Sequence, residues 1–119
     1  MFNILVIDDD TILRDSLSKC LEKLGCDVST ADTAETGIQK IQKVHFDAIF
    51  ASLCMHNIGG RGIARWVRKN DGSDTKVFIT TSWKGELEKE LLHYDGIHDV
   101  IRKPFSFSEV RDKVLEHLG

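Results

Sequence analysis

Short apolar runs alternate with helix-patterned segments five times along this 119-residue chain, and that alternation restricts the fold more than any other feature. Ile4-Leu5-Val6-Ile7 is the first such run. It has no polar alternation and is rich in β-branched residues, the mark of a strand covered on both faces, as in parallel sheets. It stops at Asp8-Asp9-Asp10, after which Leu13, Leu17, Cys20, Leu21 and Leu24 recur at helical spacing, with Gly25 placed to cap the helix C-terminus. Cys26 to Ala31 reads as a second strand, and Asp32 or Thr33 as the cap of a helix carrying Ile38 and Ile41. Phe46 to Ala51 is the third strand. Asn57, Gly59, Gly60 and Gly62 then lead into a helix with Ile63, Trp66 and Val67 near one face. Asp71-Gly72-Ser73-Asp74 makes a turn before a fourth strand at Val77 to Thr80. Leu87, Leu91 and Leu92 predict a short helix before Asp95-Gly96. Asp99 to Arg102 is a fifth, weaker strand ended by Lys103-Pro104. Ser106-x-x-Glu109 is a capping box for a last helix through Val110, Val114 and Leu118.

Five strands joined by short connections and helices are satisfied by parallel pairing with right-handed crossovers, which gives a three-layer α/β/α sandwich. The length supports one core and no second domain. In such sheets ligands bind beyond the carboxyl ends of the strands, which selects Asp8, Asp9, Ser52, Thr80, Thr81 and Lys103. Composition narrows the function classes. With 41% hydrophobic and 29% charged residues the chain is neither disordered nor membrane-like, and no apolar run approaches the roughly 20 residues of a span. Sixteen basic against nineteen acidic residues leave a net charge of −3, unlike the basic face of a nucleic-acid binder. Met1-Phe2-Asn3 carries no positive stretch of a signal peptide. Cys20, Cys26 and Cys54 are odd in number and lack zinc spacing, so free thiols and a cytoplasmic location are expected.

Four motifs in this order and spacing carry a family resemblance: Ile4 to Asp10, Met55 with Gly60 after the third strand, Thr81 after the fourth, and Lys103-Pro104-Phe105 after the fifth. Over 1–119 the chain resembles a receiver domain of bacterial two-component response regulators. That resemblance implies a flavodoxin-like five-stranded parallel sheet of order 2-1-3-4-5 with five helices. It implies that Asp8 and Asp9, with the Cys54 backbone carbonyl, hold Mg²⁺ beside an aspartate that takes a phosphoryl group from a histidine kinase. Thr81 and Lys103 then contact the phosphoryl oxygens. A cis peptide at Lys103-Pro104 is a further family trait. The partners implied are a histidine kinase, a phosphotransfer protein or an effector, met in part through residues 84–92 and 107–118. No direct nucleic-acid contact, membrane contact or enzyme activity is expected.

The carry-over breaks at the acceptor position, which is Ser52 in Phe46-Asp47-Ala48-Ile49-Phe50-Ala51-Ser52-Leu53-Cys54-Met55. His56 stands where proline is usual, and Val100 where an aromatic switch residue is usual, so Thr81 and Val100 occupy the switch positions. A carboxylate forms an acyl phosphate directly, whereas a serine hydroxyl needs a base. With Ser52 the pocket holds Asp8, Asp9 and Lys103, a net charge of −1 rather than −2, and Mg²⁺ binding is expected to weaken. The expectation is a degenerate receiver acting through protein–protein contact. The alternative is a conventional Mg-dependent phosphoacceptor in which Ser52 is an engineered change or is bypassed.

Other readings fare worse. Asp8-Asp9-Asp10 could serve only as acids at a helix start, and Lys103 is expected to pair with Asp8 or Asp9. A flavin or nucleotide phosphate would be repelled by the acid cluster. Gly59-Gly60-Arg61-Gly62 does not fit a phosphate loop. Cys54-x-His56 offers two soft ligands without a third. Arg61, Arg65, Arg68 and Lys69 form a basic stripe, first a solvated face and second a docking surface for an acidic partner. His45, His93, His98 and His117 read as surface positions.

Overall fold

The computed structural model describes residues 2–55, 58–70, 74–83, 92–93 and 95–119. Its elements run β1 (Asn3–Ile7), α1 (Thr11–Lys23), β2 (Asp27–Ala31), α2 (Ala34–Lys43), β3 (Ala48–Ser52), α3 (Gly60–Asn70), β4 (Lys76–Thr81), β5 (Asp99–Arg102) and α4 (Phe107–His117). All strand pairs are parallel, and the sheet order is β2-β1-β3-β4-β5. The expected architecture and order are therefore present. Five helices were expected; the number is corrected to four among the described residues. The expected helix through Leu87, Leu91 and Leu92 falls mostly on residues 84–91, which lie outside the described residues; Leu92 and His93 are described and helical. His56, Asn57 and most of the Asp71–Asp74 turn also lie outside them.

Strand alternation sorts the core into two faces. Ile4, Val6, Phe50, Phe78 and Ile101 pack with Leu17 and Leu21 of α1 and Val110 and Val114 of α4. Leu5, Ile7, Ile49, Ala51 and Ile79 pack on the other side with Ala34 of α2 and Ile63, Ala64 and Val67 of α3. Because both faces are covered, the central strands need apolar residues at every position. Burial of all five residues of β3 follows from this.

The local signals act where the sequence puts them. Asp10 caps α1 by accepting from the Ile12 and Leu13 amides, and Thr33 and Ser106 cap α2 and α4. At the end of α1, Gly25 takes a φ of 86°. The Gly25 amide reaches Glu22 O and the Cys26 amide reaches Leu21 O, a Schellman ending. Gly60 is required for a different reason. A Cβ there would lie 2.4 Å from Ile79 Cδ1 and 2.9 Å from the Ser52 carbonyl oxygen, so only glycine lets α3 start against the end of β3.

Candidate functional site

The sheet order reverses at β1, whose C-terminal end lies beside that of β3, so a crevice opens where these strands stop. Four predicted residues stand at these strand ends, and three of their side chains, those of Asp8, Ser52 and Lys103, meet. Asp8 follows β1, Ser52 ends β3, Thr81 ends β4, and Lys103 follows β5. Asp8, Ser52 and Thr81 are buried. Lys103 Nζ donates to Asp8 Oδ2 at 2.9 Å, both side chains being nearly enclosed. The same ammonium lies 3.5 Å from Ser52 Oγ, at the outer limit of a hydrogen bond. Ser52 Oγ donates to the Cys54 carbonyl at 3.3 Å. The Lys103–Pro104 peptide is cis.

The three consecutive acids divide their work. Asp8 Oδ1 accepts from the Asp10 amide at 2.9 Å, and the Asp8 carbonyl accepts from Arg14 Nη1 at 2.7 Å. Asp10 is spent on the helix cap. Asp9 is exposed. Thr81 Oγ1 accepts from the Trp83 amide at 3.0 Å, which ties the β4 end to the exposed Trp83 indole. Val100 is half-buried in β5, paired in register with Ile79.

The donor set suits a hard cation in kind: the Asp8 and Asp9 carboxylates and the Cys54 carbonyl are all oxygen. Two of these donors are already engaged, Asp8 by Lys103 and Cys54 by Ser52. Among the described residues Ser52 has no base: its hydroxyl meets only the Cys54 carbonyl and the Lys103 ammonium. Neither takes a proton from a nucleophile.

A second ionic cluster was missed by sequence reasoning. Asp95, read as part of a turn, is buried and held by Arg61 Nε at 2.6 Å and Arg65 Nε at 2.7 Å. The basic stripe of α3 is thus partly a clasp on the chain leading into β5. Its only sequence signal is an i, i+4 arginine pair, which does not name its partner. Burial alone would push the Asp95 carboxyl up, but the hydrogen bonds from Arg65 and Arg61 outweigh it and hold the group below its ordinary value. Folding then binds fewer protons than the unfolded chain. The stabilisation is full above about pH 4, the unfolded carboxyl range, and fades as pH falls through the lower folded value. Asp95→Asn is expected to cost about 1–3 kcal/mol in urea unfolding at pH 7, less than a fully enclosed pair because both arginines reach solvent. The gap from the parent chain should narrow below about pH 4.

Of the histidines read as surface positions, His98 is exposed and His117 departs from that reading. His98 Nδ1 accepts from the Val77 amide at 3.0 Å. His117 is half-buried, with its ring edge on Phe78.

A family model described as the response regulator receiver domain matches residues 4–115. Among curated proteins, PilG of Pseudomonas aeruginosa is 28% identical over 116 residues, covering 97% of this chain and 86% of PilG. The transcription factor SKN7 of Saccharomyces cerevisiae is 25% identical over 119 residues; the match covers 98% of this chain but only 19% of SKN7. Among solved structures, the Vibrio cholerae chemotaxis protein CheY4 superposes with a TM-score of 0.91 at 24% identity, covering 99% of both chains, a likeness of fold. TrrA of Thermotoga maritima, solved in complex with Mg²⁺-BeF, has a TM-score of 0.87 at 27% identity, covering 99% of this chain and all of TrrA's.

Proposed function

The chain belongs to the response regulator receiver domain family, a module of two-component signalling, and from that premise we propose that it transmits its signal through protein–protein contact without phosphoryl transfer to position 52. The carrying observation is the Ser52 hydroxyl at the end of β3, which among the described residues meets only the Cys54 carbonyl and the Lys103 ammonium. Lys103 is engaged by Asp8, so the charge that a phosphoryl group would otherwise attract is already partly neutralised. In this reading the chain is a binding module rather than an enzyme. Its partners are a histidine kinase, a phosphotransfer protein or an effector, and its place is the cytoplasm. No helix among the described residues is long and apolar enough to cross a membrane.

Mg²⁺, where it binds, would be held by Asp8, Asp9 and the Cys54 carbonyl, and would supply neutralising charge to a phosphoryl group. With Ser52 in place the site keeps a net charge of −1, and binding is weak. Lys103 orients Asp8, and Thr81 anchors the Trp83 amide, so both residues keep a structural task. The conventional phosphoacceptor reading draws on the survival of Asp8, Thr81 and Lys103 in one crevice. It requires a carboxylate to take over from Ser52, and Asp8 is committed to Lys103 and to the Asp10 amide.

Amide NMR spectra separate the two. Adding beryllofluoride to the Mg²⁺-treated chain is expected to leave the Ser52, Thr81, Trp83 and Val100 amides where Mg²⁺ alone puts them. Saturable shifts at these four amides would favour the phosphoacceptor.

A further inference from the structure

At the opposite end of β5 from Lys103, about 13 Å away by strand rise, a second group of ligating side chains converges. Asp99 opens β5, and Glu116 and His117 lie in the last turn of α4. One ligand atom from each lies within 4.8 Å of the others. His117 Nε2 is 3.0 Å from Asp99 Oδ2. Ligand atoms around a tetrahedral zinc ion with bonds of about 2.0–2.1 Å stand about 3.3 Å apart, so only small movements separate this arrangement from a coordination sphere.

We propose that Asp99, Glu116 and His117 form a binding site for a divalent transition-metal ion of the zinc class. One imidazole nitrogen with two carboxylates suits zinc, cobalt or nickel better than magnesium or calcium, which favour all-oxygen sets. Two of the ligands are held in place from behind. The His117 ring stands edge-on to Phe78, with centroids 5.1 Å apart and planes at 83°. Asp99 Oδ1 accepts from the Val100 amide at 2.8 Å, which turns Oδ2 toward His117. Such supporting contacts orient metal ligands and sustain affinity. An open cavity of about 460 Å³, lined by all three residues with His93 and His98, gives an ion access. His98 is not counted as a ligand, since its Nδ1 is taken by the Val77 amide. Three protein ligands leave a fourth position for water.

Lys113 is the competitor. Its ammonium meets Asp99 Oδ2 at 2.8 Å, the oxygen that also faces His117. Metal binding therefore displaces Lys113, and removing its charge strengthens the site. The site lies away from position 52, so it stands or falls independently of the phosphoryl reading.

The test is calorimetric titration of the full chain with zinc chloride under reducing conditions, with cobalt(II) then used for NMR. The expected result is one saturable equivalent, with paramagnetic broadening centred on residues 98–101 and 113–118. Glu116→Gln, an exposed change that spares the core, and His117→Gln should each weaken binding at least about tenfold, in line with the cost of disturbing even supporting contacts. Lys113→Gln should tighten it, and Cys54→Ser should leave it unchanged. Absence of saturable binding overturns the proposal. So does unaltered affinity in Glu116→Gln, or broadening centred instead on Cys54 or on His45 with Asp47 and Asp74, which form a looser cluster at 4.0 Å.

Discussion

Ser52→Asp is expected to convert a chain that ignores small phosphodonors into one that responds to them. The substitution adds a carboxylate at the buried end of β3, beside the Lys103 ammonium and the engaged Asp8. The pocket charge goes from −1 to −2, matched to a divalent ion. A new unit charge about 4 Å from a divalent cation is worth about 8 kcal/mol of gross attraction at an effective dielectric of 20, much of it offset by desolvation. Mg²⁺ affinity should rise by at least about tenfold, or about 1.4 kcal/mol. The reporter is Trp83, whose amide donates to Thr81 Oγ1 and whose carbonyl accepts from Arg102. With Trp66 replaced by phenylalanine, Trp83 fluorescence should show a saturable, Mg²⁺-dependent response to beryllofluoride in Ser52→Asp and none in its Ser52 parent. If Ser52→Asp stays silent, more than one carboxylate has been lost from the machinery, and Val100 and position 56 become the places to look.

Phe50→Ala is expected to cost about 4–5 kcal/mol of unfolding free energy. Phe50 is fully buried in β3, and its ring stacks on Phe78 with centroids 4.5 Å apart and planes at 7°. Truncating a buried phenylalanine costs about 3–5 kcal/mol through lost transfer energy and the residual cavity, and a paired ring adds about 0.5–1.5 kcal/mol. Against the 5–15 kcal/mol typical of a whole domain, such a loss removes much of the margin. The denaturant midpoint should fall with little change in slope, and Phe50→Leu should recover part of the loss. A shift below about 1 kcal/mol would mean that the sheet face packed against α1 and α4 is not the closed core described above.

The fold was legible in the sequence wherever periodicity and punctuation agreed. Ile4 to Ile7, Gly25, Thr33 and Ser106-x-x-Glu109 each act within a few residues of themselves, and each does in the structure what its local chemistry predicts. The β1, β3, β4 and β5 ends likewise bring Asp8, Ser52, Thr81 and Lys103 together, because strand order alone decides which ends are neighbours. Apart from the Lys103–Asp8 pair, which the strand-end rule anticipated, long-range polar pairing was not legible. Asp95 finds Arg61 and Arg65 across 30 or more residues, and Asp99 finds Lys113 and His117 across 14 or more. An exposed-looking charge in sequence carries no sign of the partner that tertiary packing supplies. The acid triplet shows the same limit at short range. Three identical side chains became a buried ion-pair partner, an exposed carboxylate and a helix cap, a division set by backbone direction after β1.

The central claim, that position 52 does not take a phosphoryl group, is tested most directly by intact mass. The unaltered chain is incubated with Mg²⁺ and a millimolar small-molecule phosphodonor, then weighed before and after hydroxylamine. The account predicts an unchanged mass in both spectra. A gain of about 80 Da, the mass of one phosphoryl group, that survives hydroxylamine and maps to Ser52 in a peptide digest would contradict it, while a hydroxylamine-labile gain would place the acceptor on a carboxylate and favour the conventional phosphoacceptor.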